Sequence, residues 1–304
     1  MNKVIVTTTI NPPTRAIRLF DSLKDWHLIV VGDKKTPPNY QLKRGTYFSP
    51  EEQEKFDKRL SDLIGWNSIQ RRNFGFLLAN KMNADIIATI DDDNIPYKNW
   101  GSNLLIEKKI SVNYYKTKLS VFDPIGATNY KNLWHRGFPL SLIPLREYAN
   151  KSKKILSFDV QADFWNGDPD VDAICRMQYL PDCNFTDHYF PLTSNKISPF
   201  NSQNTFLSKK ILKDYFVFPH VGRMDDIWAS FYVQAKGFKV VYAKPSVYQK
   251  RNVHDLIKDM KNEYLGYENN LTLVKDLKTN PENLFKYMPE KSLEAFKLYK
   301  KHFK

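Results

Sequence analysis

Three features of the sequence predict an α/β fold with a mostly parallel central sheet flanked by helices. A strand, a helix and a second strand are crowded between Lys3 and Val31, too little chain for anything but a right-handed crossover between parallel neighbours. An isoleucine-rich apolar run, Ala84 to Ile90, reads as a buried strand and ends abruptly in Asp91, Asp92 and Asp93. A helical pattern over Ala229 to Ala235 gives way to another strand-like run, Phe238 to Tyr242. At 304 residues the chain can bury a substantial core, as one large domain or one domain with a subdomain.

Lys3 to Ile10 is the expected first strand, broken by Asn11-Pro12-Pro13-Thr14. Arg15 to Leu23 places Ala16, Leu19, Phe20 and Leu23 at helical spacing, and Trp26 to Val31 forms the second strand, closed by Gly32 and Asp33. Thr8, Thr9 and Asp33 then fall side by side at one sheet edge, although Asp33 equally suits a plain turn. Lys34 to Tyr47 reads as an irregular loop. Ser49-Pro50-Glu51-Glu52 is a helix start, with Ser49 as N-cap, proline at the first position and glutamate three residues on. A further helix is expected over Ser68 to Met82, with Ile69, Phe76, Leu77 and Ala79 inward and Arg71, Arg72 and Asn73 on the polar face.

The triple aspartate carries the chemistry. Adjacent carboxylates repel and lose hydration when buried, so they persist in water or beside a cation. Carboxylate oxygens suit Mg²⁺ or Mn²⁺, which keep waters and take other ligands from phosphates. Ligands of open α/β sheets bind just beyond the strand ends, where these aspartates lie. A solvated acidic turn is the competing account of a DxD taken alone. Arg71 or Arg72, on the helix leading into this strand, is placed to approach a diphosphate.

Beyond Asn94 the alternation loosens. Trp134 to Leu140 and Phe164 to Ala173 mix aromatics, charges and turn formers, a composition suited to a sugar's faces and hydroxyls or simply to a packed loop. Asp168, Asp170 and Asp172 are spaced like an EF-hand start, but position twelve holds no glutamate and Pro169 interrupts, which excludes calcium there. Asn201-Ser202-Gln203-Asn204-Thr205 is a polar cluster able to bind hydroxyls or form a turn. Asp225 and Asp226 open a helix, where they serve as N-terminal charge or as a general base. His254 is either a surface histidine or a metal ligand. Glu290 to Lys304 forms a basic amphipathic helix more suited to packing on the body than to a membrane.

The net charge of +13 is spread along the chain with acids between, and no basic block or nucleic-acid motif stands out. Nucleic acid is therefore not an expected partner, and the diffuse positive field suits a nucleotide-sugar diphosphate and an anionic surface equally, so charge alone does not decide between them. Cys175 and Cys183 lack CxxC spacing and suggest reduced, buried thiols. No signal peptide or spanning stretch is legible, so the expectation is a soluble, cytoplasmic protein with at most peripheral membrane contact. Oligomeric state is not legible.

Several stretches, taken together, resemble the GT-A glycosyltransferases, and more closely the DUF288 family that includes the plant STELLO proteins. They are Val6 to Thr14, Val30 to Pro37, Ser49 to Gln53, the Asp91 run, Asn201 to Thr205 and Asp226-Ile227-Trp228, in that order. The Asp91 run and Arg136-Gly137-Phe138-Pro139 are also similar to the UDP-arabinopyranose mutases. The resemblance implies a GT-A-like nucleotide-diphospho-sugar transferase fold over residues 1–250, with a nucleotide-binding half (1–100), an acceptor-binding half (101–250) and a helical extension (251–304). It implies a nucleotide-sugar donor, a UDP sugar first, and a hydroxyl-bearing acceptor such as a glycan. Asp91, Asp93 and His254 would hold Mn²⁺ or Mg²⁺. Thr8, Thr9, Asn11, Asp33, Arg71, Arg72, Asp92, Arg136, Trp165, Asp168, Asn201 and Gln203 would line the substrates. Asp226, with Asp225 beside it, would take the acceptor proton and invert the anomeric carbon. A mutase or a catalytically silent scaffold is the alternative.

Overall fold

The computed structural model describes residues 1–250 and 255–303. The first crossover forms from β1 (Lys3–Thr8), α1 (Arg15–Asp21) and β2 (His27–Val31). β1 and β2 are parallel, with Thr8 opposite Val31. Val4, Ile5 and Val6 are wholly buried, which suits their β-branched side chains to a covered sheet. Thr14 caps α1 by accepting the Ile17 N–H at 3.1 Å.

The expected loop after β2 contains β3 (Thr46–Phe48), which extends the sheet beside β2. α2 (Pro50–Phe56) opens with the complete Ser49/Glu52 capping box, and α3 (Lys58–Ile64) follows. The expected 68–82 helix is instead a 3₁₀ turn, Ile69–Arg71, running into α4 (Arg72–Lys81). The tighter turn rotates its side chains relative to an α-helix. Ile69 is consequently 45% exposed, while Arg71, Arg72 and Asn73 are buried. The polar face points inward because the protein supplies each of those groups with partners, described below. β4 (Ile86–Ile90) is buried at every residue and parallel to β1.

The chain steps from β1 to β2 in one direction and returns past β1 to β4 in the other. Right-handed crossovers therefore put α1 and α4 on opposite faces. α4 lies close on its face: a Cβ built on Gly75 would sit 2.4 Å from Val6 Cγ1.

The second half comprises β5 (Asn94–Pro96), β6 (Ile110–Tyr115), β7 (Lys151–Leu156), β8 (Val160–Gly167), α5 (Ala173–Tyr179), β9 (Leu192–Ser194), β10 (Asn204–Ser208), α6 (Asp225–Ala235) and β11 (Val240–Gln249). α7 (Leu256–Thr279) and α8 (Glu290–Lys301) complete the helical layer. Among the described residues eleven strands form one sheet, ordered β3-β2-β1-β4-β10-β8-β11-β9-β6-β7, with β5 on β11. The first four are mutually parallel and the rest are mixed. β10 runs antiparallel between β4 and β8, so its beginning lies beside the end of β4 and the middle of β8. One edge thus gathers the ends of β1, β2 and β4 and the start of β10. Both cysteines are free and buried. Among the described residues no helix is long and apolar enough to cross a membrane.

Candidate active site

Asp91 leaves β4 with its N–H on the Gln203 carbonyl (3.1 Å) and its carboxylate on Arg72 Nη2 (2.8 Å). Arg72 is buried, and its other terminal nitrogen donates to Thr89 Oγ1 (3.1 Å) and the Ser202 carbonyl. Burial works to discharge Arg72, but the Asp91 carboxylate more than offsets it and the guanidinium stays charged. The Asp91 carboxyl is pushed above its ordinary value by burial, against Arg72, with Asp92 and Asp226 adding to the push.

Asp92 ties the end of β1 to the end of β4. Its carboxylate accepts the Thr9 hydroxyl and Asn11 Nδ2 (3.1 Å), and its carbonyl accepts the Thr14 hydroxyl at 2.5 Å. This is why β1 stops at Thr8 and Thr9 peels away. Asp93 lies partly buried beside it, before Asn94 turns back through hydrogen bonds with Gln203.

Arg71 and Arg72, adjacent in sequence, diverge. Arg71 donates to Gln53 Oε1 (2.8 and 2.5 Å), the Ser61 hydroxyl (3.0 Å) and the Ser61 and Gly65 carbonyls, and its guanidinium lies 3.7 Å from the Trp66 ring centroid. Burial lowers its pKa to about 10. Every donor of Arg71 serves the α2–α3–α4 packing, so Arg72 is the one that reaches the strand end. Asp33 is likewise engaged, accepting the backbone N–H groups of Lys34 (2.6 Å), Asn67 (2.8 Å) and Ser68 (3.1 Å). It pins the approach to α4 onto the end of β2. Beside it opens a cleft of about 630 Å³ lined by Lys34, Thr36, Tyr47 and Glu54.

A second layer lies under the start of β10. Arg136 pairs with Asp170 (2.9 Å) and Asp226 (3.1 Å). Asp226 also accepts the Ser202 N–H (2.8 Å) and hydroxyl (3.0 Å), while Asn201 Nδ2 donates to Asp170 (2.7 Å) and Gln203 N–H to Asn201 Oδ1 (3.1 Å). Burial raises the Asp226 carboxyl, but Arg136 and Ser202 outweigh it and leave its pKa below the ordinary value. At 2% exposure, Asp226 has Oδ2 bonded to Ser202 and Oδ1 facing Arg136 only as an ion pair. Asp225 accepts Gln70 Nε2 (2.6 Å), and burial together with Asp226 pushes it to about 7.

The remaining expectations divide. Trp165 is interior, against Phe164 (5.0 Å between centroids) and His135 (5.9 Å), so it offers no face to a sugar. Asp168 pairs with Arg176, and Asp172 caps α5 through the Cys175 N–H (2.8 Å) and accepts Trp134 Nε1 (2.6 Å). His254 lies outside the described residues. Ser202, Gln70 and Thr36 were not singled out by sequence reasoning; only Ser202 carried a signal, as part of the 201–205 cluster.

Two curated proteins of Arabidopsis thaliana, Probable glycosyltransferase STELLO2 and Probable glycosyltransferase STELLO1, are each 24% identical to the chain over 222 residues, covering 67% of it. The chain is similar to the STELLO proteins over that span. It spans 29% of the length of either STELLO relative. No protein-family model matches. Among solved structures, glucosyl-3-phosphoglycerate synthase from Mycobacterium tuberculosis, in complex with Mn²⁺, UDP-glucose and glycerol 3-phosphate, superposes with a TM-score of 0.48 at 12% identity, over 89% of this chain and 80% of that one.

The donor set of this STELLO-like chain fits a hard divalent ion of one kind only. Among the described residues no three His, Cys, Asp or Glu side chains converge to form an all-protein cage. Mg²⁺ and Mn²⁺ at nucleotide sites need only one or two carboxylates, completed by phosphate oxygens and water. Asp91, held on one side by Arg72 and partly open at the strand end, suits that role with Asp93 beside it.

Proposed function

We propose that the chain is a metal-dependent glycosyltransferase that moves a sugar from a nucleotide-sugar donor, a UDP sugar first, to an acceptor hydroxyl. The observation that carries this reading is the Asp91–Arg72 pair at the end of β4, flanked by Asp92 and Asp93. The likeness to STELLO1 and STELLO2, both named as probable glycosyltransferases, supports it. In this reading the nucleoside occupies the cleft beside Asp33 and Tyr47, and the diphosphate lies toward Arg72. Asp91 and Asp93 would hold Mn²⁺ or Mg²⁺, which when bound would supply positive charge beside the leaving diphosphate. Arg72, charged and immobilised by Thr89, Ser202 and Asp91, adds fixed positive potential there without reorganising. Thr9 and Asn11 keep Asp92 turned toward the β1 loop and away from the ion.

Proton removal from the acceptor falls to the Asp225–Asp226 pair. Asp226 acts by holding Ser202 and Arg136 in place. Asp225, equally buried at 3% and raised to about 7 by burial and by Asp226, has the acidity that general-base catalysis at neutral pH favours, so turnover of the two Asn variants decides between them. Calorimetry of UDP with and without Mn²⁺ tests the proposal. UDP should bind more tightly with the ion, and Asp93→Ala should remove the gain. Equal affinity under both conditions would sink the metal-dependent reading.

A further inference from the structure

A separate pocket of about 300 Å³ lies where β11 departs from β8. Ala243 pairs with Asp163 and Val247 with Trp165, so three residues of β11 face one of β8. Pro245 sits in that bulge, where a ladder donor is missing. The gap exposes the side chain of Asp163 to the pocket, although the residue is only 8% accessible.

The groups around Asp163 are all oriented as donors toward it. Gln161 Oε1 accepts the Leu105 N–H (2.6 Å), which turns Nε2 onto Asp163 Oδ1 (2.7 Å) and the Asn103 carbonyl (3.3 Å). Trp100 Nε1 donates to Asn204 Oδ1 (2.9 Å), and Asn204 Nδ2 donates to Ser246 Oγ (2.9 Å). Ser246 is thereby left with its proton for Asp163, to which it hydrogen-bonds. Among the described residues Asp163 has no ion-pair partner; the nearby Lys244 pairs with Asp187 at 3.4 Å. The Asp163 carboxyl is thus oriented by Gln161 and Ser246, with Lys244 as its nearest positive charge, and it lines a pocket in which ligand hydroxyls can reach it.

We propose that this pocket is a saccharide subsite, sized for one neutral sugar ring and independent of the transfer chemistry. The volume is at the small end of ligand pockets, which run to roughly 300–1,000 Å³. Asp163 accepts from sugar hydroxyls, and Asn99, Lys98 and Lys244 at the rim donate to others. The two lysines also repel a cationic ligand, which selects hydroxyls over an ammonium group. Tyr97, 39% exposed and held at its hydroxyl by Asn166 Nδ2 (3.1 Å), offers an aromatic face to the ring's C–H surface.

The test is saturation-transfer NMR on the full chain with methyl glucoside, galactoside, mannoside and N-acetylglucosaminide at millimolar concentration. At least one glycoside should receive saturation in the presence of excess UDP and Mn²⁺. At pH 8, above the raised carboxyl pKa of about 7, Asp163→Asn should weaken that binding roughly tenfold to a hundredfold, the usual worth of a hydrogen bond to a charged group. Tyr97→Ala, at an exposed position, should weaken it without touching the fold and keeps the test decisive if Asp163→Asn does not fold. Absence of transfer from every glycoside overturns the proposal. Displacement by UDP, unchanged binding in both variants, or binding of glucosamine alone overturns it equally. UDP calorimetry on the same variants should be unaltered, so failure here is distinguishable from failure of the glycosyltransferase reading.

Discussion

Arg72 and Asp226 bond to opposite sides of one residue. Arg72 donates to the Ser202 carbonyl, and Asp226 accepts the Ser202 N–H at 2.8 Å. A guanidinium from α4 and a carboxylate from α6 thus clamp the start of β10 against the end of β4. Opposite charges at the two ends of this link also favour each other's ionised form. The Asp91 carboxylate and the Arg136–Asp170 pair are joined through this single residue.

Arg72→Ala should cost about 1–3 kcal/mol, because it leaves the buried Ser202 carbonyl and Thr89 hydroxyl short of a donor, while the partly exposed Asp91 can turn to water. Arg72→Lys should recover little, since an ammonium lacks the planar fork that meets all three acceptors. Urea denaturation with both variants measures this; full rescue by lysine would show that charge alone matters.

Arg71→Ala and Arg72→Ala should separate in binding. Arg71 serves the α2–α3–α4 packing, so its loss should lower the Tm while leaving the ratio of UDP to uridine affinity unchanged. Arg72→Ala should weaken UDP far more than uridine. Calorimetry with both ligands decides; a matching loss for UDP and uridine in Arg72→Ala removes it from the diphosphate.

Asp226→Asn should destabilise the protein by a few kcal/mol, because Arg136 loses one of its two buried carboxylates. Asp225→Asn should be milder in stability, since its carboxyl bonds only Gln70 Nε2 and the Asp226 N–H. Its loss should fall on turnover, by ~100- to 10,000-fold if it is the base. Urea melts beside transfer assays distinguish the two; normal turnover in Asp225→Asn returns the base assignment to Asp226.

Asp163 predicts a pH dependence of stability. Burial raises its carboxyl from 3.8 to about 7, with the Gln161 and Ser246 bonds and Lys244 opposing. The folded state therefore binds a proton that the unfolded state has released between those values. That contribution is fully present below 3.8 and is lost as pH rises through 7. The stability of Asp163→Asn relative to wild type should accordingly improve between pH 5 and pH 8, by on the order of 2–4 kcal/mol. Denaturation of both proteins across that range is the check, and a constant difference would exclude the shift.

Gly75→Ala should destabilise by about 1–3 kcal/mol despite alanine's better helix propensity. The added methyl would meet Val6 Cγ1 at 2.4 Å and Val31 Cγ2 at 2.9 Å, both in the sheet. Thermal melting is sufficient, and a raised Tm would show that α4 can move outward.

The sequence by itself determined the first crossover, the Ser49 capping box and the buried strand ending at Asp91. Each of these depends on local periodicity or on a capping residue within a few positions, and such signals survive in one dimension. The sequence also gathered Asp91, Asn201, Gln203 and Asp226 as candidates because each stands in a short, unusual polar cluster. Only the tertiary structure decided what those groups do. Arg71 and Arg72 read alike until a 3₁₀ turn sends one to Gln53 and the other to Asp91. Trp165 and Asp33 had the composition of a binding face, yet packing consumed the first and three backbone N–H groups consumed the second. Asp226 became a clamp on Ser202 because Arg136, ninety positions away in sequence, is folded against it. A side chain's hydrogen-bonding capacity is small and finite, and long-range contacts that no local pattern encodes determine how it is used.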